Sequence, residues 1–320
     1  MAASVLSFSL SLLALLSSLW TAGQFDGYNE ESIPTGQLFW KGWPIEDRLV
    51  VKSLLPRALA AAEERLERKL GRPFTTVLVP DGFELRRVVE RMSGSAPSPH
   101  AVLGVALPGP GVLVIKGGYL PALEPLSVTV GHEVAHLVIH RSLQARIPRW
   151  LDEGIATWLT RPGLPDADEA YLSFLARVDG LYRLESLELR FPDAHELSSV
   201  AYQQSFLFIS YLTVKIGQDA VPRLLDLMEE GASSGSALRK LTGVPLKDLE
   251  TEFQGWVAAR RTLGTALSSV FNLWTVCALL ALAAIGRYWL RRRRRMAGMA
   301  AEEGETPARE PLSGPQDVQG

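Results

Sequence analysis

The sequence is poor in two residue types that are common in secreted proteins, cysteine and asparagine. Cys277 is the only cysteine among 320 residues, which excludes a disulfide-rich scaffold and a metal–thiolate site. Asparagine occurs only at Asn29 and Asn272, and neither begins an Asn-x-Ser/Thr sequence, so N-glycosylation is not expected. These absences fit a bacterial envelope protein better than a eukaryotic surface protein.

An excess of positive charge is also missing, since 33 basic residues balance 35 acidic ones. No nucleic-acid partner is therefore expected for the chain as a whole. The sequence leaves the oligomeric state open.

Charge is absent altogether from residues 266–286, where Asn272 is the only strongly polar residue. A helix of this length spans about 31 Å, the thickness of a bilayer core, which predicts a single transmembrane helix over 265–287. Arg291–Arg295 follow, and such a cluster places the C-terminal flank in the cytoplasm. A buried core helix is the alternative, although such helices rarely lack a polar face over this length. The rest of 288–320 has the composition of a disordered tail.

The N-terminal residues 1–23 resemble a signal peptide, because an apolar stretch from Ser4 to Trp20 precedes Thr21-Ala22-Gly23. The basic start of a typical signal peptide is missing, so an uncleaved anchor remains the alternative. Either reading places 24–264 on the exoplasmic or periplasmic side of a cell membrane that the chain crosses once.

The predicted elements of this exported domain begin with strands and end with helices, which favours an α+β fold. Helical spacing of apolar residues predicts helices over Ile45–Leu70, Phe83–Met92, Leu126–Leu143, Trp150–Leu159, Asp168–Val178, Ser205–Gly217, Asp219–Gly231 and Pro245–Arg261. Strands are predicted at Phe74–Val79, Ala101–Ala106 and Gly111–Gly117.

A metal-binding pattern, HEVAH, lies within the helix predicted over Leu126–Leu143. His132 and His136 are four residues apart, so both imidazoles lie on one helix face and can reach one zinc ion at about 2.0–2.1 Å. Glu133 lies about 100° round the helix, where it can reach a water on the metal. A buried helix with two hydrogen-bonded histidines is the alternative interpretation.

A catalytic zinc site needs a third protein ligand. His140 is excluded because it lies about 12 Å from His132 along a continuous helix, and a capping role at the last turn is expected for it. Pro148 separates this helix from a second one, on which Asp152 and Glu153 are rival carboxylate ligands.

The order H-E-x-x-H followed by W-L-x-E-G-x-A resembles the gluzincin metallopeptidases, and more closely the bacterial peptidase MA-like family. The resemblance covers most of residues 74–256, including GVLVIKG, PRWLDEGIATW and AYQQSFLFISYLTVKIG. It implies a zincin-like domain with a small mixed sheet, an active-site helix and a C-terminal helical part.

The resemblance also implies a role for each matching residue. His132, His136 and Glu153 are the expected ligands of one zinc ion per chain, and Glu133 is the expected general base. Tyr202 is the candidate donor to the developing oxyanion, with an ordinary tyrosine near a helix start as the alternative. Arg149 is expected either to meet a substrate carboxylate or to be a solvated charge.

The expected activity is that of a membrane-anchored zinc endopeptidase that hydrolyses peptide or protein substrates outside the cytoplasm. No aminopeptidase signature such as G-x-M-E-N precedes the active-site helix. The strand over Gly111–Gly117 is expected to be the sheet edge along which an extended peptide pairs, and a plain core strand explains its apolar residues equally well. The alternative function is a catalytically inactive zincin-like domain that binds a partner in the cell envelope.

Overall fold

Five strands form one sheet in the computed structural model, which describes residues 25–94, 103–117, 126–260, 278–289 and 291. The strands are β1 (Asn29–Ile33), β2 (Gly36–Trp40), β3 (Phe74–Val79), β4 (Gly104–Leu107) and β5 (Val112–Lys116). Their order across the sheet is β1-β2-β3-β5-β4. The pairs β2–β3 and β3–β5 are parallel, and β1–β2 and β4–β5 are antiparallel. The predicted small mixed sheet is confirmed.

Helices surround this sheet and continue after it. They are α1 (Ile45–Leu66), α2 (Gly82–Ser93), α3 (Leu126–Ser142), α4 (Arg149–Thr160), α5 (Asp166–Arg177), α6 (His195–Ile216), α7 (Ala220–Glu229), α8 (Ser234–Thr242) and α9 (Leu246–Arg260), with a 3₁₀ turn at Leu184–Leu187. A mixed α/β domain with a small sheet and a helical C-terminal part fits a zincin-like fold.

Alternating side chains of the central strands belong to two separate hydrophobic clusters. Leu78 and Leu113 belong to the larger cluster, which includes residues of α1, α3 and α4. Val77 and Val114 belong to a smaller cluster that includes residues of α2. The sheet therefore has helices on both faces, as its parallel strand pairs require.

The edge of the sheet next to α3 is β4, because β5 lies between β3 and β4. The expectation that Gly111–Gly117 forms this edge is therefore wrong. A single antiparallel strand, reached through the turn after Leu107, covers β5. Gly104 in β4 allows a close approach to α3, since a Cβ there would lie 2.8 Å from Cγ of Glu133.

The chain divides into two compact units, Met1–Arg261 and Thr262–Gly320. Among the described residues of the second unit, 278–289 form a helix. Within the ranges that the structure describes, none of the helices combines the length and apolar composition needed to cross a bilayer. The predicted signal segment 1–23, the predicted span as far as residue 277 and most of the arginine cluster lie outside those ranges.

Candidate metal centre

Two antiparallel helices, α3 and α4, bring the candidate ligands together. α3 ends at Ser142, and α4 begins directly after Pro148, which has an extended backbone (φ −63°, ψ 147°). A Cβ on Gly131 would lie 2.8 Å from Cγ2 of Thr160, so the start of the HEVAH motif lies beside the end of α4. The carboxylates at the start of α4 consequently face the later part of that motif.

Three donor atoms converge at this contact. Nε2 of His132 lies 3.1 Å from Nε2 of His136 and 3.2 Å from Oε2 of Glu153. Nε2 of His136 lies 3.6 Å from the same carboxylate oxygen. The side chain of Glu153 is only 7% exposed, whereas that of His132 is 22% exposed, so the group is open to solvent on one side.

The spacing of these atoms fits a tetrahedral metal. Two ligands at about 2.0–2.1 Å from one zinc ion lie about 3.3–3.4 Å apart, and the three observed separations fall around that value. Two histidines and one carboxylate leave a fourth position for water or substrate, as in catalytic zinc sites. Among the described residues, His132, His136 and Glu153 can therefore hold a metal ion.

A second group, His136, His140 and Asp152, also has donor atoms close together. Oδ1 of Asp152 is 2.8 Å from Nδ1 of His136, and Oδ2 is 2.8 Å from Nε2 of His140. These are hydrogen-bond distances, shorter than the separation of two ligands on one zinc. Asp152 therefore orients His136 from behind, an arrangement that is common around metal-binding histidines.

The expected capping role of His140 is wrong, and the reason is visible at Asp152. His140 lies in the last turn of α3, but its ring contacts the carboxylate on the facing helix rather than a helix carbonyl. The expectation that His140 does not share a metal with His132 agrees with its placement. Of the two carboxylates that the sequence left as alternatives, Glu153 lies near Nε2 of both His132 and His136, so the geometry favours Glu153 as the candidate ligand.

Charge at the site favours a cation. Burial raises the pKa of Glu153, but hydrogen bonds from His132 and His136 outweigh it, so this pKa lies well below its usual range. Burial lowers the pKa of His136, but Asp152 and Glu153 outweigh it, so this pKa lies well above its usual range. Two ionised carboxylates therefore face the imidazoles, where a divalent cation can take the place of a proton.

Glu133 lies between the candidate ligands and the edge strand. Its Oε2 accepts a hydrogen bond of 2.8 Å from the backbone N–H of Ala106 in β4. Burial raises the pKa of Glu133, although the neighbouring His132 and His136 act in the opposite direction. A carboxylate held in this way is better matched to proton transfer near neutral pH than an ordinary glutamate.

Arg149 connects Glu153 to Tyr202. Nη2 of Arg149 lies 2.8 Å from Oε1 of Glu153 and donates a hydrogen bond of 3.2 Å to the phenol of Tyr202. The ring of Tyr202 packs against Phe191, with centroids 4.8 Å apart. Arg149 is therefore an ion-pair partner of a candidate ligand rather than a solvated charge. This ion pair uses Oε1 of Glu153 and leaves Oε2 facing the histidines.

The placement of Tyr202 depends on the packing of α6 against α4. A Cβ on Gly154 would lie 2.7 Å from the carbonyl oxygen of Ser205, so the two backbones touch one turn away from Tyr202. Sequence reasoning placed Tyr202 before a helix starting at Ser205, whereas α6 begins at His195. The contacts of Asp152 with the two histidines and of Arg149 with Tyr202 were not predicted from the sequence, because each one joins side chains on different helices.

The comparison with protein families agrees with this geometry. A helix carrying H-E-x-x-H and a second helix supplying a glutamate define a gluzincin-like site. A family model described as Peptidase MA superfamily matches residues 100–259, half of the chain, and the chain therefore belongs to the peptidase MA superfamily. No curated protein matches the sequence. Membership indicates a metallopeptidase, and the candidate ligands and Glu133 lie within the matched residues.

Proposed function

We propose that this protein is a membrane-anchored zinc endopeptidase that cleaves peptides or proteins outside the cytoplasm. The observation that carries the proposal is the convergence of His132, His136 and Glu153 at separations that suit one tetrahedral ion. Two imidazoles and one carboxylate suit zinc better than calcium or magnesium, which prefer oxygen ligands.

The residues around the ion have separate tasks in this mechanism. A bound zinc ion would lower the pKa of water towards about 7 and polarise a carbonyl oxygen. Glu133 accepts a proton from the attacking water and delivers it to the leaving amine. Tyr202 donates a hydrogen bond to the oxygen on which negative charge develops, and Arg149 holds its phenol close to Glu153.

The peptide is bound along β4. The carbonyl oxygens of Leu103 and Leu107 accept hydrogen bonds from Lys116 and Gly111, so these residues face β5. By the alternation of an antiparallel pair, the backbone groups of Gly104 and Ala106 face away from the sheet. The N–H of Ala106 is already bonded to Glu133, so an extended peptide can pair only with the remaining outward-facing groups, such as the carbonyl oxygen of Ala106.

Zinc content and turnover test the central claim together. The full chain, purified in neutral detergent without chelators, should hold about one zinc ion, and Glu153→Ala should hold clearly less. Glu133→Gln should keep zinc and lose at least about 100-fold in kcat. Equal turnover of Glu133→Gln and the parent would contradict the mechanism. Zinc binding without any turnover in the parent would favour the inactive binding domain instead.

Endopeptidase action is tested with matched substrates. The full chain should cleave an internally quenched peptide with both termini blocked, and it should release little fluorophore from single aminoacyl derivatives. Mass spectrometry of the products locates the cleaved bond. Activity confined to free-ended peptides would contradict the endopeptidase assignment while leaving a zinc peptidase in place.

The proposed anchor, residues 265–287, is tested separately from the chemistry. The full chain should stay with the membrane pellet after alkaline extraction, whereas a chain ending at residue 263 should not. A protease added outside intact cells or spheroplasts should digest the domain 24–264 and spare a tag at the C-terminus. Protection of the domain would reverse the proposed orientation.

A further inference from the structure

The edge strand β4 contacts the side chain of Glu133 at two alternate residues, Gly104 and Ala106. A Cβ on Gly104 would lie 2.8 Å from Cγ and 3.4 Å from Cδ of Glu133, so this side chain occupies the space that the glycine leaves open. Two residues later, the backbone N–H of Ala106 donates a hydrogen bond of 2.8 Å to Oε2 of the same carboxylate. One strand therefore determines the position of both the stem and the head of Glu133.

Glycine is needed at position 104 for space and not for backbone conformation. Gly104 does not have a positive φ, so its backbone is open to any residue. A Cβ there would also lie 3.2 Å from Cγ2 of Thr129, which is one turn before Glu133 on α3 and is itself buried. Since Cγ of Glu133 is close to the helix backbone, it can move aside only by rotating the whole side chain. That rotation would carry the carboxylate away from Ala106.

The N–H of Ala106 is available to Glu133 because the sheet does not use it. Val105 is opposite Val114 of β5 and Ala106 is opposite Leu113. Backbone groups alternate in an antiparallel pair, so those of Val105 point towards β5 and those of Ala106 point away from it. A buried carboxylate needs a hydrogen-bond donor in any case, but that need alone does not explain why a glycine lies against its stem.

We propose that Gly104 and the backbone N–H of Ala106 position Glu133 as the general base. Gly104 gives the stem of Glu133 its place against β4, and the N–H of Ala106 holds Oε2, which leaves Oε1 to accept the proton. A base that is fixed in this way does not have to be ordered during the reaction. The inference rests on the proposed function, because Glu133 needs exact positioning only if it transfers a proton.

A methyl group at position 104 tests the space beside Glu133. In the zinc-loaded full chain, Gly104→Ala should lower kcat at least about tenfold, because a misplaced group transfers protons poorly. The zinc content should stay parental, and KM should change less than about twofold, because the backbone groups of β4 are retained. Gly109→Ala is the matched control in the turn after β4, where a Cβ would meet nothing within 4 Å, and it should keep parental kcat. Parental kcat in Gly104→Ala would overturn the role of Gly104.

Removal of one N–H tests the hydrogen bond from Ala106. Ala106→Pro deletes this donor without deleting a bond of the sheet, since proline is tolerated where the N–H of an edge strand points outward. This variant should also lose at least about tenfold in kcat while it keeps its zinc. Ala106→Ser retains the N–H and should lose far less. Equal losses in the two variants would overturn the role of the N–H.

Hydrogen exchange measures the contact without any use of activity. In the full chain in neutral detergent, the amide of Ala106 should exchange at least about tenfold faster in Glu133→Ala than in the parent, because it loses a hydrogen bond to a charged group. The amide of Val105, which points towards β5, should be unchanged and serves as the internal control. Gly104→Ala should also accelerate exchange at Ala106. Equal exchange at Ala106 in Glu133→Ala and the parent would overturn the inference even in an inactive protein.

The outcome at Glu133 itself separates this inference from the proposed function. Parental turnover in Glu133→Gln would contradict the proposed peptidase mechanism. A loss of turnover in Glu133→Gln, together with parental kcat in both Gly104→Ala and Ala106→Pro, would overturn only the positioning role of β4.

Discussion

Oδ1 of Asp152 lies 2.8 Å from Nδ1 of His136, while Nε2 of the same ring faces His132 and Glu153. A carboxylate at this position accepts a hydrogen bond from Nδ1–H, and a metal ion that displaces the proton from Nε2 would find the lone pair of that nitrogen facing it. This relation makes Asp152 a positioning residue for a ligand.

Replacing Asp152 should weaken zinc binding without removing a ligand. Asp152→Ala is expected to lower zinc affinity by about 10- to 100-fold, the usual effect of losing such a partner, as measured by competition with a chromogenic chelator. Asp152→Asn keeps one acceptor oxygen and should lose less. Asp47→Ala, at an exposed aspartate of α1, is the control. Unchanged affinity in Asp152→Ala would show that His136 needs no support from α4.

His140 should act only through Asp152, because its Nε2 contacts Oδ2 of that carboxylate and the ring lies in the last turn of α3. His140→Ala is expected to reduce zinc affinity less than Asp152→Ala does, and His140→Gln should restore part of the loss. Within the Asp152→Ala background, His140→Ala should have no further effect, since coupled neighbours are not additive. Additive losses would indicate that His140 reaches the metal by another route.

Tyr202 is placed to act on substrate through its phenol, which Arg149 contacts at 3.2 Å. Removing one oxyanion donor costs about 100- to 1000-fold in kcat, so Tyr202→Phe should show such a loss with full zinc content. Tyr171→Phe, at a tyrosine that is 52% exposed, is the control and should keep parental kcat. Parental kcat in Tyr202→Phe would mean that this residue only anchors Arg149.

The ligands on α3 could be predicted from sequence because their relation is local. A spacing of four residues places His132 and His136 on one helix face whatever surrounds them. Glu153 could be predicted only through family resemblance, since periodicity did not distinguish it from Asp152. The distinction depends on the angle between α3 and α4, which tertiary packing decides.

Some other elements could not be predicted from the sequence, and each has a specific reason. The strand β1, NEESI, carries three polar or charged residues that are exposed at the sheet edge, so it lacks the apolar alternation by which strands are recognised. The start of α6 was missed because His195–Ser199 is polar and largely solvent-facing. β4 was predicted as a strand, but its place at the edge depends on the pairing order, which no local pattern encodes.

The packing of α4 against α6 can be tested by comparing two helical glycines, one at this helix contact and one in open space. A Cβ on Gly154 would meet the backbone oxygen of Ser205 at 2.7 Å, whereas one on Gly255 would meet nothing within 4 Å. Gly154→Ala should destabilise the domain by about 1–3 kcal/mol, since a backbone contact cannot relax cheaply.

Gly255→Ala is the matched control and should instead stabilise the domain by about 0.5–1 kcal/mol through helix propensity. Thermal unfolding of both variants, followed by circular dichroism under identical zinc concentrations, should give shifts of opposite sign. Because displacement of α6 also moves Tyr202 away from Arg149, Gly154→Ala should lose kcat even at temperatures where it is fully folded. Full activity of the folded variant would show that the site tolerates a shift between these helices.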